Sequence, residues 1–235
     1  MKKYLSAAFT NFLLNFFKSH AFRSSFNHDI ALARSLKSLS TTVDYVDNKM
    51  SHIPSVDHHL KVHDVAIQSI SIPDGLILEF GVFSGKTINH IAEKLPGHQV
   101  YGFDSFEGLP EFWRDGYEKG HFAVTELPQV AANVTLVKGW FDQTLPDFKA
   151  KNDSALAYLH VDCDLYSSAK TIFDMLKDNI VAGTVIVFDE YFNYPGWMEG
   201  EFKAFHEFLA ETGKEYKYLT YNVKHEQVAV VMTKG

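Results

Sequence analysis

From residue 74 onward, short runs of apolar residues alternate with stretches of helical spacing. The runs are Leu76–Phe80, Gln99–Phe103, Val134–Val137, Leu156–Val161 and Thr184–Phe188. Helical patterns cover Thr87–Leu95, Asp142–Ala150 and Ser167–Asn179 between them. Strands that are apolar throughout and separated by helices predict a parallel sheet covered on both faces. A further helix is predicted at about Glu201–Thr212, after which Tyr216–Tyr221 and Gln227–Met232 follow in quick succession. The link from Asn222 to Glu226 is too short for a parallel crossover, so the last two strands predict an antiparallel hairpin. The expected fold class is α/β: a Rossmann-like, seven-stranded, mostly parallel sheet ending in that hairpin.

Upstream the pattern is weaker. A helix is predicted from about Val56 to Ile70, ending before Pro73 because proline disfavours helix in its predecessor. Ser19 to Val56 is polar and weakly patterned, with Ser38–Thr42 read as a loop. Near the start, Leu5, Phe9, Phe12, Leu13, Phe16 and Phe17 fall at helical spacing, which describes an amphipathic helix. Lys2 and Lys3 before it resemble the opening of a signal peptide, but Ser6, Thr10, Asn11 and Asn15 interrupt the apolar stretch. The stretch is too short to span a bilayer. A docking or lid helix is the expectation, with a signal peptide and a membrane-surface helix as the alternatives. The domain division expected is residues 1–73 as a helical extension or lid and 74–235 as the main domain.

Composition narrows the function classes. At 235 residues the chain suits one domain with an appendage. A net charge of −7 and the lack of any Lys/Arg run disfavour a nucleic-acid partner. The single cysteine, Cys163, excludes an intramolecular disulfide framework and fits a reducing, cytoplasmic location.

The first predicted strand runs into Glu79-Phe80-Gly81-Val82-Phe83-Ser84-Gly85, directly before a helix. Gly81 and Gly85 permit a sharp turn and close approach to a ligand, and the N–H groups at the helix start, from Ser84 onward, can hold an anionic group. The second strand ends in Asp104, whose carboxylate can accept hydrogen bonds from the ribose hydroxyls of a nucleoside cofactor. Two other nucleotide folds fit less well. A dinucleotide fingerprint needs a second glycine where Phe83 stands. A P-loop needs four residues between its glycines, and Gly81 and Gly85 enclose three. Glu79 also suits a cofactor that carries a positive amino group.

Two later strands end in Asp162-Cys163-Asp164 and in Asp189-Glu190. In a sheet of this kind both ends open on the ligand side. Crowded carboxylates repel unless protons or a cation neutralise them, and all-oxygen ligation suits Mg²⁺ or another hard divalent cation. The alternative is that some of these residues cap helices or bind a cofactor amino group.

These segments also resemble a known family. Leu78–Val82, Gly102-Phe103-Asp104-Ser105-Phe106-Glu107-Gly108-Leu109-Pro110, Gly139–Pro146, Val161–Ser168 and Phe188–Tyr191 are similar, in that order, to the macrocin O-methyltransferase type of class I methyltransferase. The resemblance implies S-adenosylmethionine (SAM) as methyl donor, a divalent metal, and a hydroxylated small molecule as acceptor, such as a sugar moiety of a natural product. It implies SAM contacts at Glu79, Gly81, Asp104, Ser105, Trp140 and Phe141, alongside the turn residues Ser84 and Gly85. It implies metal ligands at Asp162, Asp189 and Glu190, where the family usually shows Asp-Asp for the last pair. Asp162 and Asp164 are the candidate catalytic carboxylates. Gly108–Phe122, with Trp113, Tyr117 and Phe122, becomes a substrate-side loop by position. A homo-oligomer is compatible with this reading. A non-catalytic binding module on the same fold, or a shortened P-loop NTPase, are the alternative functions. Among twelve histidines, His58, His59 and His63 read as solvated helix residues or as lid residues able to take a proton, and His160 as a packed strand residue.

Overall fold

A computed structural model describes residues 29–235, and the amphipathic stretch near the start of the chain lies outside them. The first described element is helix α1 (Ile30–Lys49), whose N-cap Asp29 accepts the Leu32 N–H at 2.9 Å. Ser38–Thr42, expected as a loop, is the middle of this helix. The face of α1 turned to the protein carries hydroxyls, so no apolar period marks it. Ser38 Oγ donates to Ser35 O at 2.8 Å, and Thr42 Oγ1 accepts the Asn193 N–H at 3.0 Å. The helix's own backbone satisfies Ser38 and a tertiary partner satisfies Thr42, hydroxyls that normally favour turns.

The two-residue strand β1 (Ser55–Val56) follows, then α2 (His59–Gln68), β2 (Leu76–Phe80), α3 (Lys86–Lys94), β3 (Val100–Asp104) and β4 (Val134–Lys138). After these come α4 (Phe141–Lys149), β5 (Leu156–Val161), α5 (Tyr166–Leu176), β6 (Val185–Phe188), a 3₁₀ turn at Trp197–Glu199, α6 (Glu201–Thr212), β7 (Glu215–Asn222) and β8 (Val228–Lys234). The expected strands and the hairpin are present. The sheet has eight strands instead of seven, because β1 pairs in parallel with β7 through Ser55↔Tyr221. Two residues carry no alternation to read, and they also delay the start of α2 from Val56 to His59.

Strand order is β1-β7-β8-β6-β5-β2-β3-β4, with β8 antiparallel to both neighbours. The chain moves outward from β2 through β3 to β4, then returns to β5 on the other side. That reversal leaves a crevice beyond the ends of β2 and β5, where ligands bind in open α/β sheets. One sheet face packs Leu78, Phe80, Leu159 and Phe188 against α4, α5 and α6. The other packs Ile77, Tyr158 and Val187 against α2 and α3. Among the described residues no helix is long and apolar enough to cross a membrane.

Candidate active site

A cavity of about 650 Å³ opens at the reversal point, within the range typical of small-molecule sites. Gly81, Asp104, Ser105, Trp140 and Phe141 line one part of it, and Asp162, Asp164, Asp189 and Glu190 another. Glu79, Ser84 and Gly85 do not line it. Gly85 is the left-handed N-cap of α3. Glu79 is fully buried on the α2 side of the sheet, where its Oε2 lies 3.0 Å from His160 Nδ1.

Gly81 must be glycine for a reason internal to the fold. Its φ is +93°, and a Cβ there would stand 1.7 Å from the carbonyl oxygen of Asp162. The turn after β2 therefore presses directly against the backbone that presents the acidic cluster. Asp104 joins the same assembly: its Oδ2 accepts the N–H groups of Val82 and Phe83, both at 2.8 Å, and its Oδ1 accepts that of Phe106 at 2.7 Å. A carboxylate offers about four acceptor positions, so roughly one remains for a ribose hydroxyl. These contacts also bear on the P-loop alternative. The turn amides that would cradle a phosphate already hold a carboxylate.

Beyond the ends of β5 and β6, carboxylate oxygens of Asp162, Asp189 and Glu190 lie within 4.8 Å of one another. Burial, then the charge of Asp189, pushes the carboxyls of Asp162 and Glu190 well above the usual range. Glu190 Oε2 is buried without a hydrogen-bond partner among the described residues. An oxygen-rich, charge-crowded group with an orphaned acceptor fits a hard cation. Asp164 sits beside it with φ +63°, a left-handed turn that Asp tolerates better than most residues. Burial raises its carboxyl to about 7, against the opposing pull of Arg114.

Three further residues complete the site, and none stood out in the sequence. Glu201, the first residue of α6, accepts the N–H of Cys163 at 3.1 Å and that of Glu190 at 3.2 Å. It thereby ties the ends of β5 and β6 together, while burial lifts its carboxyl to about 8. An acidic residue at a helix start is a common dipole contact, and that was the one signal available for it. Gln227 in the hairpin donates from Nε2 to Asp189 Oδ2 at 3.0 Å. Arg114 lies 3.8 Å from the Trp113 ring centre and reaches Glu226 at 3.2 Å, which pins the Gly108–Phe122 loop to the hairpin. No local pattern distinguishes these partners, because each acts across a long separation in sequence. His63, expected as a solvated helix residue or a lid base, lies outside this cavity: it is fully buried on the α2 side of the sheet, and its Nδ1 meets Tyr158 Oη at 2.6 Å.

The strand order, with its closing antiparallel hairpin, is that of the class I methyltransferase fold. Residues 78–191 match the family described as "Methyltransferase domain". Demethyldecarbamoylnovobiocin O-methyltransferase of Streptomyces niveus is 30% identical, over 52% of this chain and 54% of its own. The chain thus spans about half the length of that curated relative. Among solved structures, the calicheamicin methyltransferase CalS11 aligns with a TM-score of 0.60 at 23% identity, covering 73% of this chain and 77% of that one. The O-methyltransferase NovP aligns with a TM-score of 0.57 at 23% identity, covering 74% and 80%. Both share the fold.

Proposed function

We propose that the protein is a SAM-dependent O-methyltransferase acting on a hydroxyl of a small molecule, with a hard divalent cation such as Mg²⁺ assisting. The observation that carries this reading is the convergence of Asp162, Asp164, Asp189 and Glu190 on the cavity that Gly81, Asp104 and Trp140 also line. SAM, when bound, supplies an electrophilic methyl group. The cation, when bound, lowers the pKa of an acceptor hydroxyl.

The protein's own groups divide the remaining work. Asp104 and Ser105 offer acceptors for a nucleoside, and Trp140 and Phe141 offer an aromatic wall beside it. Asp162, Asp189 and Glu190 are the cation's ligands, with Glu201 and Gln227 holding two of them in position. Asp164, aimed into the cavity by its left-handed turn, takes the acceptor's proton. Trp113, Tyr117 and Phe122 line the same cavity and suit the apolar face of a sugar ring. A sugar hydroxyl as acceptor is supported by the relatives' names, which include a novobiocin O-methyltransferase and a TDP-rhamnose 3'-O-methyltransferase. Residues 1–73 are an N-terminal extension of the domain of residues 74–235 whose described part adds β1 and α2 to its sheet and core, and the enzyme works in the cytoplasm.

Mass spectrometry of copurified ligand, followed by an acceptor screen of hydroxylated sugars and phenols with labelled SAM, tests the reading. Methyl transfer to a hydroxyl supports it. SAM binding with no turnover on any acceptor, even after metal loading, would favour a non-catalytic binding module.

A further inference from the structure

On the α2 face of the sheet, bordering the methyl-transfer cavity through Asp189, a second group of potential ligands is built around two buried histidines. His160 on β5 is the register partner of Glu79 on β2 and of Val187 on β6, and Asp189 lies two residues beyond Val187. His63 comes down from α2, and its ring meets that of His160 edge-on at 4.5 Å. Both imidazoles are 0% exposed. A ring nitrogen of each histidine and a carboxylate oxygen of Asp189 lie within 4.8 Å of one another.

The hydrogen bonding around these rings is selective. His160 Nδ1 is held by Glu79 Oε2 at 3.0 Å, and His63 Nδ1 by Tyr158 Oη at 2.6 Å. The Nε2 atoms of both rings are buried with no hydrogen-bond partner among the described residues. Two unsatisfied imidazole nitrogens in a sheet core are costly to leave bare. Metal-binding histidines have this arrangement: one nitrogen is anchored to a carboxylate or another oxygen, which sets the tautomer and frees the other nitrogen for the ion. Bonds of about 2.0–2.2 Å need ligand atoms roughly 3–4 Å apart, so small rotamer adjustments close the group. Asp189 also lines the open cavity, which supplies an entry side.

We propose that His63, His160 and Asp189 bind one borderline transition-metal dication of the Zn²⁺/Co²⁺ class, with Glu79 and Tyr158 orienting the two imidazoles. Two nitrogens and one oxygen favour such an ion over Mg²⁺, whereas the neighbouring Asp162–Asp189–Glu190 group is all oxygen. Asp189 belongs to both groups of three, so the two sites communicate through one side chain. The bound ion fastens α2 to β5 and β6, so loading raises the melting temperature.

The test uses full-length protein stripped of metal, then titrated with Co²⁺ in excess Mg²⁺ so that the oxygen site is filled. The expected result is about one equivalent of Co²⁺ with visible ligand-field bands of nitrogen coordination. Asp162→Asn should keep that ion, and His63→Gln should lose it. Glu79→Gln should weaken its affinity about 10–100-fold, because it removes only an orienting partner. Circular dichroism establishes that each variant is folded. Wild-type protein that takes up no Co²⁺ under Mg²⁺, or folded His63→Gln that binds it as tightly as wild type, overturns the proposal in favour of a water-bridged polar core.

Discussion

Asp104 Oδ2 accepts the backbone N–H of Val82 at 2.8 Å, which links the end of β3 to the turn after β2. With Phe83 and Phe106 also donating to it, this side chain builds the cofactor wall as well as facing it. Asp104→Ala should weaken SAM binding by roughly 1.5–3 kcal/mol and lower the melting temperature as well. Asp104→Asn keeps one carbonyl acceptor and should lose less stability. Calorimetric titration beside a thermal melt separates the two effects. Near-normal SAM affinity in a destabilised Asp104→Ala protein would make the residue structural only.

The turn amides are already occupied by Asp104, so ATP with Mg²⁺ should not compete with SAM. SAM is expected to bind in the micromolar range, and Lys86→Ala should leave that affinity unchanged, since Lys86 does not line the cavity. Tighter ATP than SAM binding in a direct titration would restore the NTPase reading.

Chelation should abolish methyl transfer while leaving SAM affinity within about tenfold, or roughly 1.4 kcal/mol. Asp162→Asn and Asp189→Asn should behave alike, and Glu190→Asp should retain activity because it restores the usual family pair. Full turnover by protein shown to be metal-free, in excess chelator, would remove the cation from the mechanism.

Asp164→Asn should lower kcat by about 10²–10⁴, the usual contribution of a positioned base. Its affinity for SAM and for the divalent cation should stay near wild type, since Asp164 is not among the three grouped ligands. A kcat within threefold of wild type would assign the proton to another group.

Tyr45 on α1 meets Tyr218 on β7 at 2.5 Å between hydroxyls, and burial raises its pKa from 10.0 to about 12. A phenol whose folded pKa is raised stabilises the fold fully below the unfolded value near 10. That contribution disappears as pH rises through about 12. Melting temperature should therefore fall steeply over this window in wild type and less steeply in Tyr45→Phe, whose neutral-pH stability is somewhat lower. Parallel slopes in the two proteins would mean that Tyr45 takes no part in the alkaline transition.

The central sheet, the closing hairpin and the glycine turn were legible from residues 76–232 alone, because their signals are local. A strand buried on both faces must be apolar throughout, a hairpin must have a short link, and a turn pressed against Asp162 can only be Gly81. The carboxylate pairs were legible for a related reason: each ends a recognisable strand, and strand ends in such a sheet share one mouth. Tertiary structure decided the rest. Helix α1 buries Ser38 and Thr42; Ser38 bonds back to Ser35 in the same helix, but Thr42 meets Asn193, far along the chain. Glu79, expected at the cofactor, faces His160 instead, because the pleat turns it to the α2 side. Glu201, Gln227 and Arg114 reach the site only after α6, the hairpin and the Gly108–Phe122 loop have packed around it. Periodicity reports which face of an element is apolar, but a polar side chain takes its role from whatever the folded chain brings within about 3 Å of it.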